Sequence, residues 1–198
     1  LLAGDDVAGS GQLAAHAADA YFRVSHKLAV VNVHLSPGLT NALTGVASAA
    51  ADSTPMVVFA GNTPSYHHAR EPHQGIRFHA DASQGDIFRP ICKRVWRVDD
   101  AKFLTDVMPR ALNLSQTGRP GPVLIDVPID VQTAEIEFDL DTYEPLPVYK
   151  PRASRRQVEK AMAMLTAAER PLIVAGGGII NADASELLVE FAEVTGVP

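Results

Sequence analysis

Cysteine is almost absent from this sequence of 198 residues, in which Cys92 is the only one. A single thiol excludes an intrachain disulfide framework and a metal site built from several thiolates, and it is usual in a reducing compartment. Apolar runs that approach the roughly 20 residues needed to span a bilayer are also missing, as is a charged-then-apolar leader pattern. We therefore expect a cytoplasmic protein that does not use a membrane.

Clustered positive charge is scarce as well. The formal net charge is −6, and the only short basic cluster, residues 152–156, is typical of a solvated helix start. Because phosphate backbones are bound by grouped Lys and Arg, we expect no nucleic-acid partner. The chain also lacks an initiator Met, and it ends where a helix-to-strand turn would lead onward. We interpret the sequence as a fragment of a longer protein.

Strand and helix patterns alternate along most of the chain. The predicted order is a helix over 12–24, a strand over 28–33, a chain break at 36–38, a helix over 40–51, a strand over 56–60, a strand over 91–98 with Cys92 and Trp96 in the core, and a helix over 100–114. This order predicts an α/β fold, a doubly wound parallel sheet with right-handed crossovers.

The most informative tract is a rigid turn followed by a buried strand. Residues 117–122 contain two prolines and two glycines, and they lead into a short, β-branched apolar run that Pro128 closes. Here the sequence resembles the thiamine diphosphate (ThDP) enzymes of the acetolactate synthase, glyoxylate carboligase and benzoylformate decarboxylase group. In that group this tract ends the domain that holds the aminopyrimidine ring of the cofactor.

The resemblance implies a domain organisation. Residues 1–132 would form an N-terminally truncated pyrimidine-binding domain. Residues 133–151, rich in proline and acidic side chains, would form a linker. Residues 152–198 would begin a second, Rossmann-like middle domain, with a helix from the Ser154 cap to Leu165, a strand over 171–175 and a helix over 183–194.

Four stretches narrow the resemblance to the glyoxylate carboligase branch. They are residues 131–132, 134–139, 143–151 and 175–182. A linker has few packing constraints, so likeness there is specific to a branch. The resemblance implies a lyase that joins two glyoxylate molecules to give tartronate semialdehyde and carbon dioxide. An acetolactate synthase or a benzoylformate decarboxylase-like 2-oxo acid decarboxylase is the alternative.

The loop over residues 33–41 favours that alternative, because it is similar to the benzoylformate decarboxylase branch, in which a His begins the loop. The resemblance implies that His34 is catalytic and that Pro37, Gly38 and Asn41 line the pyrimidine side of ThDP. A loop that leaves the carboxyl end of a parallel strand lies at the ligand crevice, and an imidazole exchanges protons near neutral pH. A hydrogen-bonded structural histidine is equally consistent with the sequence.

Gly11 occupies the position at which these enzymes usually have a glutamate, whose carboxylate bonds the aminopyrimidine ring. Glyoxylate carboligase is the member of the group that lacks this glutamate and has an aliphatic residue instead. Glycine is not that residue, so a non-catalytic binding or regulatory relative that keeps the fold is a further hypothesis.

The resemblance also implies a flavin contact. Gly176, Gly177 and Gly178 match glycines beside FAD in flavin-containing members, and Arg89 matches an arginine that touches the same flavin. A tight turn and a surface ion pair, respectively, are the alternatives. Four histidines, His67, His68, His73 and His79, match no compact ligand pattern, so we expect no metal site here.

The remaining implications concern partners. Mg²⁺ would be held by a domain outside this chain, contributed by a neighbouring subunit of a homodimer or homotetramer. The resemblance therefore implies a 2-oxo acid substrate and an active site shared between subunits. We expect these 198 residues alone to be inactive.

Overall fold

A computed structural model describes residues 10–67, 70–72, 74–75 and 82–198 of the chain. It divides into two compact units, residues 1–150 and 151–198. In the part of the chain that the structure describes, no helix is long and apolar enough to cross a membrane. His68, His73 and His79 lie outside the described residues.

The first unit is built on a four-stranded parallel sheet. Its strands are β1 (Ala29–His34), β2 (Met56–Asn62), β3 (Val95–Arg97) and β4 (Pro122–Pro128), in the order β1-β2-β4-β3. Its helices are α1 (Gly11–Ser25), α2 (Leu35–Ala51), α3 (Leu104–Gln116) and the short α4 (Ile129–Gln132). The predicted α/β parallel-sheet architecture is confirmed.

Each face of the sheet buries its own apolar cluster. Side chains alternate between faces along a strand, so Leu124 points to the α1–α2 side while Val123 and Ile125 point to the α3 side. All seven residues of β4 are buried, which explains why its sequence is continuously apolar except for Asp126. The strand therefore lies in the middle of the sheet, between β2 and β3.

Helix α2 begins earlier than the sequence predicts, so the expected chain break at 36–38 is wrong. The helix includes Pro37 and Gly38 in its first turn. Proline is tolerated there because the first N–H groups of a helix have no intrahelical acceptor. The turn that enters the helix is tight, and Leu35 has a φ of 53°.

Two predicted strands differ from the structure. The strand expected over 91–98 is only Val95–Arg97, because the chain at Ile91 and Cys92 is still turning out of a 3₁₀ helix, with both N–H groups bonded to the Phe88 carbonyl. Cys92 and Trp96 are partly buried rather than central. The strand expected over 171–175 is absent from the described chain, where Ile173 N–H donates only to the Pro198 carbonyl.

The second unit contains three helices, α5 (Arg155–Ala167), α6 (Gly178–Asn181) and α7 (Ser185–Thr195). Ser154 caps α5, and its hydroxyl and the side chain of Gln157 form a reciprocal capping box. Large apolar side chains such as Leu172 and Val174 are exposed here. A segment forms a β-strand only when its backbone N–H and C=O groups pair with those of a neighbouring strand. The described part of this unit contains no such neighbouring strand.

Candidate functional site

The carboxyl ends of the parallel strands meet at one edge of the sheet. His34 ends β1, Asn62 ends β2 and Arg97 ends β3. Asp126 lies beside Arg97 in the pairing of β3 with β4. A small open cleft lies at this edge. Ligands of open parallel sheets bind outside the carboxyl ends of the strands, so this edge is the candidate site.

The cleft is lined by polar side chains from several elements. Its lining residues are Ser36, Asn62, Glu71, Gly75, Ser83, Gln84 and Arg97. Ser36 comes from the first turn of α2, and Gln84 begins a 3₁₀ helix over Gln84–Phe88. A capping box between Ser83 and Asp86 holds the start of that helix, with Ser83 N–H donating to Asp86 Oδ2 at 2.6 Å.

A buried carboxylate lies beneath the cleft. Asp126 has no exposed surface, and its two oxygens accept from Gln84 Nε2 at 2.9 Å and Asn62 Nδ2 at 3.0 Å. Gln84 also donates to the Gly61 carbonyl at 3.0 Å, and its Oε1 accepts from the Ser36 hydroxyl at 3.0 Å. The network ties the ends of two strands, β2 and β4, to the starts of α2 and the 3₁₀ helix.

Burial raises the pKa of Asp126 to about 6. The hydrogen bonds from Gln84 and Asn62 and the positive charge of Arg97 act in the opposite direction, while the negative charge of Asp99 adds to the rise. The carboxyl therefore holds or releases a proton just below neutral pH, in contact with two residues, Asn62 and Gln84, that line the polar cleft.

The structure places His34, Pro37, Gly38 and Asn41 together, around the junction of β1 and α2. His34 is the exposed N-cap residue of α2, and Pro37 and Asn41 are exposed on the first two turns. His34 lies opposite Gly61 in the β1–β2 pairing. Leu35 follows it in the left-handed region, which is unusual for a bulky residue. Such strain is concentrated at functional sites, and here it turns the chain directly from strand to helix.

Gly11 lies where α1 crosses α2. A Cβ added at Gly11 would overlap the Gly38 carbonyl oxygen and come within 3.3 Å of the Ala42 nitrogen. One turn further along α1, Ala15 meets Gly45 of α2, where an added Cβ would lie 2.6 Å from the Ala15 Cβ. The helices cross with backbone nearly touching backbone. No side chain of any kind fits at position 11 in this arrangement.

The residues predicted to contact flavin lie in separate units. Arg89 is largely exposed and its Nε donates to Asp86 Oδ1 at 2.6 Å, which is the surface ion pair that the sequence left open. Gly176, Gly177 and Gly178 are exposed, and α6 begins at Gly178. A Cβ at any of the three would meet open space. A flavin role for these residues stays a prediction.

Sequence reasoning missed Ser36, Asn62, Gln84 and Asp126 as members of a site. One signal was available, since Asp126 interrupts the apolar run of β4, and a buried carboxylate requires partners. The other three carry no signal, because each is an ordinary polar residue in a turn or at an element end. Among the described residues, no group of three or more His, Cys, Asp and Glu could hold a metal ion.

Comparisons with known proteins match both units. The family model described as "Thiamine pyrophosphate enzyme, N-terminal TPP binding domain" matches residues 9–83. The model described as "Thiamine pyrophosphate enzyme, central domain" matches residues 158–198. Together the two matches span more than half of the chain.

Curated relatives extend the likeness along almost the whole sequence. Glyoxylate carboligase of Escherichia coli O157:H7 is 47% identical over 186 residues, which are 93% of this chain and 30% of that protein. The acetolactate synthase large subunit of Corynebacterium glutamicum is 38% identical over 189 residues, 94% of this chain and 29% of that protein. The chain thus spans less than a third of the length of these relatives.

A solved structure from Mycobacterium smegmatis, described as a thiamin diphosphate-dependent enzyme, has the same fold. It superposes with a TM-score of 0.77 at 22% identity, covering 96% of this chain and 35% of that one. Five of the seven residues that line the cleft lie within the segment matched to the N-terminal binding domain, and residues 158–198 of the second unit are matched to the central domain. This chain belongs to the thiamine pyrophosphate enzyme family.

Proposed function

We propose that the protein containing this chain is a ThDP-dependent carboligase that condenses two glyoxylate molecules to tartronate semialdehyde and carbon dioxide. The observation that carries this proposal is the 47% identity to glyoxylate carboligase, against 38% to the acetolactate synthase of Corynebacterium glutamicum over nearly the same stretch. The linker over residues 133–151 supports the same branch, because its sequence resembles the glyoxylate carboligase branch. Core packing does not constrain a linker, so this likeness is specific.

The cleft can contact only an edge of the cofactor. It is small and open, far below the size of a complete cofactor pocket. Its amide and hydroxyl groups, Ser36, Asn62 and Gln84, can donate to and accept from the nitrogens of a heterocyclic ring. We assign this edge to the aminopyrimidine ring, with Pro37, Gly38 and Asn41 beside it. ThDP, if bound there, would supply the electron sink that decarboxylation of a 2-oxo acid requires.

His34 is the group that this chain offers for proton transfer to a carbonyl substrate. It is exposed at the end of β1 and no side-chain bond to the start of α2 occupies it. The position at the carboxyl edge puts it beside Gly61 and the first turn of α2. We propose that it moves a proton at the reacting carbonyl oxygen.

Two other functions have specific support. An acetolactate synthase is supported by the identity of 34% to the large subunit of Haemophilus influenzae over 94% of this chain, and a benzoylformate decarboxylase-like enzyme by the His34 loop. A binding or regulatory protein without turnover is supported by Gly11, where no carboxylate fits.

We further propose that Mg²⁺ and the diphosphate are bound by residues outside this chain, that FAD contacts the central domain, and that subunits associate as a homodimer or homotetramer. On this proposal the 198 residues alone do not catalyse. Release of carbon dioxide from glyoxylate by the isolated chain would contradict this part.

The deciding experiment measures carbon dioxide release by the full-length polypeptide from glyoxylate, pyruvate and benzoylformate in parallel, with ThDP and Mg²⁺. Preferred turnover of glyoxylate supports the carboligase. Preferred turnover of pyruvate or benzoylformate supports the corresponding alternative. Binding of ThDP without turnover of any of the three supports the regulatory protein.

A further inference from the structure

The carboxylate of Asp126 determines how two side-chain amides are oriented. Its Oδ1 accepts from Gln84 and its Oδ2 accepts from Asn62. The second N–H of Gln84 donates to the Gly61 carbonyl. If the Gln84 amide turned over, its oxygen would face a carboxylate and a carbonyl, which are both acceptors. The Gln84 orientation is therefore set by two acceptors, the Asp126 carboxylate and the Gly61 carbonyl.

The same bonds decide what the amides present elsewhere. Gln84 is left with Oε1 to accept from the Ser36 hydroxyl, and Asn62 is left with Oδ1 to accept from Thr63 N–H at 2.8 Å. Ser36, Asn62 and Gln84 all line the cleft. The polar lining is thus arranged from below by a residue that has no exposed surface itself.

We propose that Asp126 is the positioning residue of this cleft: as a carboxylate it holds Gln84 and Asn62 in the arrangement that receives a small nitrogen heterocycle, and on gaining a proton it releases one of them. The identity of the ring, the aminopyrimidine of ThDP, rests on the proposed function. A protonated carboxyl carries a donor on one oxygen, so that oxygen faces an amide donor, and one amide has to rotate away.

The charge state of this carboxyl changes in an accessible pH range. Burial raises the pKa of Asp126 to about 6, so the carboxylate predominates at pH 7.5 and is lost on the acid side. The charged groups that act on it are Arg97 at the end of β3 and Asp99 just beyond it, with opposite signs. Asn62 and Gln84, which contact it from β2 and the 3₁₀ helix, are neutral.

The test is the dissociation constant of ThDP with Mg²⁺, measured by calorimetry from pH 5.5 to 8 on the full-length protein. The variants are Asp126→Asn, which keeps the shape but not the second acceptor, and Asp106→Asn, a matched change in an exposed ion pair on α3. We expect Asp126→Asn to bind ThDP roughly 10-fold more weakly than the wild type at pH 7.5. A loss of this size corresponds to one hydrogen bond to a charged group.

The pH course separates positioning from a general structural effect. We expect the ratio of the Asp126→Asn constant to that of the wild type to approach one below pH 6, because the wild type loses its carboxylate there. Titration of the cofactor itself is common to all variants and cancels in the ratio. A ratio that stays constant with pH, or equal affinities at pH 7.5, would overturn the proposal.

A second variant tests the proposal if Asp126→Asn does not fold, and a second measurement tests the network itself. Asn62→Ala removes a donor that lowers the pKa of Asp126, so the pH midpoint of ThDP binding should move upward. Infrared difference spectra of the cofactor-free wild type minus Asp126→Asn should show a protonated carboxyl band that grows below about pH 6. If the wild type binds no ThDP, the proposed function fails. If the band is absent, the network itself is refuted.

Discussion

Gly11 and Gly38 touch through their backbones at the crossing of α1 and α2, with no room between them for a side chain. The contact joins the start of α1 to the first turn of α2, the turn that also holds Pro37 and Ser36. Small residues permit such close helix approach. Gly11, which the sequence predicts to match the usual glutamate of related enzymes, is therefore a packing position in this chain.

Gly11→Glu should destabilise the first unit rather than restore a carboxylate. The new side chain has to push α1 and α2 apart, and overpacking of this kind costs about 1–3 kcal/mol. We expect a lower midpoint of urea unfolding. The matched control is Ala17→Glu, which adds the same side chain at an exposed position of the same helix and should leave the midpoint unchanged. Equal midpoints for the two variants would show that the helices separate freely.

His34→Ala should lower turnover without unfolding the protein. His34 is exposed and packs little, so the melting temperature should stay near that of the wild type. Loss of a positioned acid or base lowers kcat by roughly 100-fold or more. The measurement is carbon dioxide release under saturating ThDP. His16→Ala, an exposed histidine on α1, is the control. Unchanged kcat in His34→Ala would assign His34 a structural role.

Asp126→Asn should change how stability depends on pH. The folded pKa of Asp126 is about 6, above the ordinary value of 3.8, so the native state binds this proton more tightly than the unfolded chain. The contribution of Asp126 to wild-type stability therefore falls as the pH rises from about 4 to 6, by up to roughly 3 kcal/mol at about 1.4 kcal/mol per pKa unit. The variant lacks this loss. Urea unfolding at several pH values, with Asp106→Asn as control, measures the difference, and parallel curves would contradict it.

Cys92 should be unreactive in the folded protein. Burial raises the pKa of its thiol to about 12, so almost no thiolate exists at pH 8. We expect iodoacetamide to leave Cys92 unmodified in native protein and to alkylate it in urea, as measured by peptide mass spectrometry. Rapid modification of native protein would show that this turn opens readily.

Asn113→Asp should loosen the segment that ends the first unit. Asn113 Nδ2 donates to the carbonyls of Pro147 at 2.8 Å and Leu146 at 3.3 Å, and Tyr149 O accepts from Gly118 N–H at 2.8 Å. A carboxylate cannot donate those bonds and would face two carbonyl oxygens. We expect faster hydrogen exchange over residues 145–150. Gln116→Glu, the same charge change on the same helix without linker contact, should leave exchange unchanged.

The alternation of strands and helices could be predicted because it is a local property. Apolar β-branched runs become buried parallel strands, and Pro128 ends β4 as the sequence predicts. Ser154 caps α5 because its hydroxyl meets a nearby N–H. The prediction of a strand over 171–175 is wrong, because strand formation needs a partner strand that the local sequence does not reveal.

The cleft, by contrast, was decided by tertiary structure. Gln84 is 42 residues from Asp126 and 48 from Ser36, and Asn62 is 64 residues from Asp126. Their convergence depends on strand order and on where the 3₁₀ helix returns to the sheet. Likewise, the sequence predicts only that Gly11 replaces a glutamate. The crossing of α1 and α2 is what leaves no space for a side chain at this position. Sequence determined which segments fold and to which family they belong, because those are matters of local pattern and similarity. Tertiary structure determined which polar groups share one carboxylate, because hydrogen bonds depend on distance in space.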